Sequence, residues 1–260
     1  MIVWNGGLQY YFIDTKSLTI FHSADYLLLM NKFIRAVKYL DIASIEEILQ
    51  KEPKWITWSE DSGKNALHYL CGLDISKEPR KADISLQILK LLLKTGMNIN
   101  SVHEIPEGCG IFPAAPLWYA YTRGRNEKLF TYLLKSGANP GNCMFAIAWY
   151  DDVISANLFK KHGAKIDDEA GGNTPFLAAF QWKRFNIAEW FLQKGANINF
   201  ADAEGNTAIF YAVKRKYKIE YIKLLLRFGA DFNIENKAGI SAKKLAELNG
   251  QKGILRLFVA

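Results

Sequence analysis

The chain has 260 residues, half of them hydrophobic and 23% charged, which supplies a sizeable core and excludes a disordered charged tail. A formal net charge of +7 favours acidic partners but falls far short of a nucleic-acid-binding arm, so nucleic acid is not the expected ligand. Cys71, Cys109 and Cys143 are odd in number and widely spaced, which indicates neither a disulfide framework nor a zinc cluster and points to a reducing compartment.

Residues 1–24 alternate apolar runs with turn clusters (IVW-NGG-LQYYFI-DTKS-LTIF), which predicts a β-hairpin or three-stranded meander as an N-terminal extension. This stretch lacks the basic and apolar regions of a signal peptide, and no run in the chain approaches the roughly 20 apolar residues of a membrane helix. A cytoplasmic location is expected. Residues 25–62 predict a helical N-terminal cap, because two amphipathic runs, YLLLMNKFIRAVKYL and IASIEEILQKE, meet at Asp41 and stop at Pro53.

From residue 63 onward two blocks recur in order. The first reads GKNALHYL (63–70), AAPLWYAY (114–121), GNTPFLAAF (172–180) and GNTAIFYAV (205–213). The second reads LLLKTGMNIN (91–100), YLLKSGANPG (132–141), FLQKGANINF (191–200) and LLLRFGADFN (224–233), with a degenerate copy, LFKKHGAKID, at 158–167. The pattern resembles the ankyrin repeat, with a period of about 33 residues and a T-P-L-H-x-A signature. GNTPFLAAFQWKRFNIAEWFLQKGANIN (172–199) matches it nearly position for position, and the likeness covers roughly residues 63–260.

The chemistry of that stretch fits the unit. Thr174 stands where an N-cap hydroxyl accepts from an early helix amide, and Pro175 where a missing N–H costs nothing. Ala178 and Ala179 are small enough for the next repeat to approach, Ile187, Trp190, Phe191 and Leu192 form an apolar stripe, and Gly195 ends the second helix. One such unit cannot bury its apolar face alone. The resemblance therefore implies an all-α solenoid of about five ankyrin repeats, each a helix-turn-helix plus finger loop, with a C-terminal cap from about 237. The final segment, GISAKKLAELNGQKGILRLF (239–258), carries the Lys and Glu that a wet outer face needs.

Three departures stand out. The insert GLDISKEPRKA (72–82) reads as a loop. The finger INSVHEIPEGCGIFP (99–113) is long, with no helical period, and reads as a flexible insertion whose shortening should spare the helical stack but weaken partner binding. In GANPGNCMFAIAW (137–149) the chain passes almost directly into a helix, so a finger hairpin is expected to be absent there.

No phosphate-binding glycine loop, nucleophile elbow, HExxH or CxxC occurs, and no enzyme, cofactor or metal site is predicted. His68 and Cys71 lie i,i+3 on one predicted helix, but two ligands do not make a zinc site, and the resemblance gives the histidine a structural role. The helix junctions carry Arg123 and Arg125, Trp182-Lys183-Arg184, and Lys214-Arg215-Lys216-Tyr217-Lys218, with Lys77, Arg80 and Lys81 in the insert. Stacking would align them into a basic edge, which gives one reading of the chain, the binding of an anionic polymer or membrane surface. The competing explanation is that these cations complement helix C-termini and otherwise sit in water.

The leading expectation, carried by the resemblance, is a monomeric protein–protein interaction module, a scaffold, adaptor or inhibitor that grips a folded partner in its concave groove. The residues at the family's binding positions are Thr122, Arg123, Tyr150, Asp151, Gln181, Trp182, Lys214 and Arg215 at the ends of first helices, and Asn173, Glu204 and Asn206 on fingers. Among them Trp182 is expected to face the groove, with Tyr150 as the other wall of an aromatic patch.

Overall fold

A computed structural model describes residues 32–107 and 110–258. The expected β-rich extension over 1–24, the first part of the leading amphipathic run, and Cys109 lie outside the described residues. The chain divides into two units, Met1–Ala138 and Asn139–Ala260, and each is built from antiparallel helix pairs.

In the first unit, helix α1 (residues 32–39) turns through Leu40 into α2 (Ile42–Lys51), where the Asp41 carboxylate accepts from the Ser44 amide at 3.1 Å. Phe33, Val37 and Ile45 are fully buried with Trp55, which a 3-10 turn at Pro53–Ile56 brings beneath the pair. Next come α3 (Ala66–Cys71), the loop of the 72–82 insert, and α4 (Lys81–Lys94).

The long finger is ordered as an antiparallel hairpin, β1 (His103–Glu107) paired with β2 (Gly110–Ala114) in the register His103↔Ala114. It leads into α5 (Pro116–Thr122) and α6 (Glu127–Lys135). Helix α3 packs on α5, and α4 on α6. The reading of 99–113 as a flexible segment is thus replaced by regular structure with tertiary anchors. Glu104 N–H donates to Ser62 O at 2.7 Å, and His103 Nδ1 lies 2.6 Å from the Tyr119 hydroxyl. Gly63, at φ +81°, allows the approach, since a Cβ there would stand 2.1 Å from Val102 O.

The second unit runs α7 (Cys143–Tyr150), α8 (Val153–Lys161), α9 (Pro175–Gln181), α10 (Phe185–Gln193), α11 (Ala208–Lys214), α12 (Ile219–Arg227), α13 (Ala242–Leu248) and α14 (Lys252–Leu255). The first helices stack in series, α7 on α9, α9 on α11 and α11 on α13, while α10 packs on α8. Ala178, Ala179 and Ala212 are buried at these seams, and Ile187, Phe191, Ile222 and Leu225 are fully buried on the second helices. Each such large side chain contributes about 1.5–3 kcal/mol of burial.

Thr174, Thr207 and Ser241 hydroxyls accept from the amides of Leu177, Phe210 and Lys244 at 3.3, 3.4 and 3.1 Å, so three first helices start on the same N-cap. Second helices end at Gly163, Gly195 and Gly229, with φ between +84° and +95°, conformations that a side chain would strain. The Asn of the G-A-x-x-N turn then clamps one repeat to the next. Asn199 accepts from the Asp231 amide at 2.8 Å and donates to Gly229 O at 3.3 Å. Between Ala138 and Cys143 the chain makes only a turn, as the short repeat predicted.

Candidate partner-binding edge

Within the second unit, the turns joining first to second helices lie along one edge. Three of them place a non-glycine residue in the left-handed region, Asp151 (φ +55°), Lys183 (+60°) and Lys216 (+52°). Such conformations cost of order 1 kcal/mol and persist where surrounding contacts fix them. Here those contacts come from the neighbouring repeat. Arg184 Nε–H donates to Trp149 O, 2.9 Å away at the end of α7, and Arg215 donates to Gln181 O, 2.6 Å away at the end of α9. Tyr217 O–H reaches the same Gln181 oxygen at 3.3 Å, and Gln251 does this for Val213 O on α11, also at 3.3 Å. The last carbonyls of a helix carry partial negative charge and lack intrahelical donors, so an arginine there satisfies both needs. The structural explanation of the basic edge therefore holds for Arg184 and Arg215.

Asp151 is engaged in the same way with opposite sign. Its carboxylate accepts from the Ile187 amide and from Asn186 Nδ2, both at 2.8 Å, at the start of α10, where the N-cap residue Arg184 supplies no side-chain acceptor. Other candidates also spend polar groups on the fold. Asn173 donates to the Gln181 side chain at 3.1 Å, and Asn206 is buried, accepting from Asn236 at 2.9 Å. Glu204 is exposed on its finger, its amide bonded to Asp202 at 3.1 Å. In the first unit Thr122 donates to Trp118 O at 2.7 Å, and the exposed Arg123 guanidinium lies 5.8 Å from the ring centres of Trp118 and Tyr119.

Tyr150, Trp182 and Lys214 keep exposed side chains. Trp182 retains 38% of its surface and meets Trp149, which retains 48%, edge to face with ring centres 5.1 Å apart and planes at 81°. The Arg184 guanidinium sits 5.6 Å from the Trp149 ring centre, and Tyr150, 44% exposed, follows Trp149 in the chain. The second wall expected from Tyr150 is thus formed by Trp149. Helix α7 has 8 residues where α9 has 7, so Trp149 rather than Tyr150 stands level with Gln181. Counting back from Asp152, the N-cap of α8, exposes that offset in the sequence.

His68 and Cys71 are both fully buried. Asn65 N–H donates to His68 Nδ1 at 3.1 Å and Nε2 lies 3.2 Å from Ala114 O, so both ring nitrogens are occupied. Burial, the dominant cause, holds the imidazole down to about 4 and pushes the Cys71 thiol up. His103 is also held below its ordinary value, first by desolvation and then by Lys64 and Arg123. Among the described residues no group of three or more His, Cys, Asp or Glu could hold a metal ion, and no helix is long and apolar enough to cross a membrane.

Comparison with known proteins agrees with this architecture. Residues 143–236 match the family described as ankyrin repeats, in three copies. Over 51 residues the chain is 49% identical to a putative ankyrin repeat protein, L92, of Acanthamoeba polyphaga mimivirus, covering 20% of this chain and 12% of that protein. It is 30% identical over 156 residues to the phosphocholine transferase AnkX of Legionella pneumophila, covering 54% of this chain and 16% of that one. The chain thus spans a small part of these relatives' length. The crystal structure of the Bcl-3 ankyrin repeat domain superposes with a TM-score of 0.66 at 19% identity, covering 86% of this chain and 97% of that one.

Proposed function

We propose that this ankyrin-repeat chain is a non-catalytic binding module that recognises another protein through the helix-junction edge of its second unit. The observation that carries the reading is the Trp149–Trp182 pair, two half-exposed indoles at the ends of successive first helices. Tryptophan, tyrosine and arginine dominate interface hot spots, and Trp149, Tyr150, Trp182 and Arg184 gather at this one place. Large aromatics left this bare gain little for a solenoid whose core is closed without them. In the same reading, residues 25–62 and the segment from about 237 serve as caps, which the stacking of Phe232 on Phe258 at 4.5 Å supports for the C-terminal one. The basic-edge alternative is less well supported, because Arg184 and Arg215 are held by helix-end carbonyls.

Affinity chromatography on the immobilised chain at physiological salt tests the proposal, with the Trp149→Ala, Trp182→Ala double variant run beside it. One protein retained in stoichiometric amount by the parent and lost by the variant is the expected result. Equal retention by both removes this edge as the binding surface.

A further inference from the structure

Lys183, Arg184, Lys214, Arg215 and Lys216 occupy two successive junctions of the second unit, and none forms an ion pair among the described residues. Other cations are paired, as in Arg227 with Glu189 and, at the end of the same junction, Lys218 with Glu220 at 3.8 Å. Of the nearby acids in sequence, Asp151 has its carboxylate turned to the start of α10, and Asp152 caps α8 by accepting from the Ser155 amide at 2.9 Å. Lys183, Lys214 and Lys216 are exposed, with the Lys183 ammonium 5.5 Å from the Tyr217 ring centre and that of Lys214 6.0 Å from the Phe210 ring centre, while the two arginines orient N–H groups on carbonyl oxygens. Among these cations stands an apolar site of indole faces, Trp149 and Trp182 edge to face at 5.1 Å with the Arg184 guanidinium 5.6 Å from the Trp149 ring centre.

We infer that this edge takes an acidic polypeptide segment that presents a bulky apolar side chain flanked by Asp or Glu. The inference rests on the proposed function and names the chemistry of its partner. The apolar side chain would sit against Trp149 and Trp182, displacing water from their exposed faces. The flanking carboxylates would meet Lys183 and Lys214–Lys216, where complementary charge speeds encounter and fixes orientation. A nucleic acid would use the cations alone. It fits less well, because a phosphate backbone is tracked by freely reaching cations, and here two are tied to the fold.

The test pans a phage-displayed random 15-residue peptide library against the full chain and then measures the leading synthetic peptide by titration. Enriched peptides should carry Asp or Glu on both sides of Trp, Phe, Leu or Tyr. Trp182→Ala should weaken the leading peptide by about 30-fold. Lys214→Gln with Lys216→Gln should weaken it by about 3- to 10-fold and flatten its salt dependence. Circular dichroism melts of each variant, with Trp182→Phe as a milder substitution, separate lost binding from lost fold. Patch-dependent peptides that are neutral or basic overturn this inference and leave the proposed function standing. Peptides indifferent to Trp182→Ala, no enrichment at all, or displacement by duplex DNA that itself binds Trp182→Ala undiminished overturn it as well, and the chromatography above then decides separately whether the edge binds protein.

Discussion

The hairpin region of the first unit and the junction edge of the second spend their aromatic residues differently. In the first, aromatic and imidazole rings close on one another around the long hairpin. His68 lies edge-on to Tyr119 at 5.5 Å, His103 stacks on Tyr119 at 5.8 Å, and Phe112 packs on Trp118 at 5.1 Å. In the second, Phe176, Phe180 and Phe191 fill the core, while Trp149 and Trp182 stay at the rim, 48% and 38% exposed. The difference teaches that the irregular part of a repeat array can be irregular for its own packing, and that the regular part can carry the exposed group.

The largest effect should come from the regular core. Leu225, fully buried on α12, should cost about 2–5 kcal/mol on truncation to Ala, read as a fall in the urea midpoint. Because repeats couple to nearest neighbours, the loss should spread to adjacent helix pairs while distant ones remain partly folded. A cost below about 0.5 kcal/mol would place Leu225 on the wrong face.

The first unit should be distinguished by acid. His68 is neutral in the fold, held down to about 4 by burial, and would titrate near 6.5 when unfolded. Below 6.5 the unfolded chain therefore binds the extra proton. Stability is full above that pH and falls as pH drops toward 4, by about 3 kcal/mol in all. His103, shifted in the same direction, adds with the same sign. Protection factors of α3 and α5, corrected for the intrinsic slowing of exchange in acid, should fall from pH 6.5 to 5 more than those of α9 and α11, whose unit has no fully buried histidine among its described residues. Equal change in both would dissolve the comparison.

Much of this was legible beforehand. Thr174 and Pro175, the seam alanines and the turn glycines are local chemistry, written in residues that few alternatives satisfy, and they fixed the helix pairs. The finger was not legible as structure. Pro106 and Pro113 hide the alternation of strands, and its order comes from Tyr119 and Ser62, which a local pattern does not reveal. At the edge, Trp182 could be read from its place at a helix end. Asp151, Arg184 and Arg215 could not be separated from solvated charge, because their partners are backbone groups one repeat away.

The smaller effects follow from that separation. Asp151→Ala removes an acceptor at the start of α10 and leaves a Cβ residue in a left-handed turn, so it should lower stability by about 1–2 kcal/mol. Trp182→Ala, which gives up one edge-to-face contact and partial burial, should cost about 1–2 kcal/mol, below the ~3–5 kcal/mol of a fully buried tryptophan. If Trp182→Ala costs as much as a core truncation by thermal melting, Trp182 belongs to the fold and the edge loses its claim.

The most direct measurement is hydrogen exchange of the chain with and without its retained partner protein. Slowed exchange at residues 149–152, 181–184 and 214–216, with the hairpin at 103–107 and 110–114 unchanged, is the result that an exposed tryptophan edge predicts. Protection confined to the hairpin, with the tryptophan edge exchanging as freely as before, would contradict it.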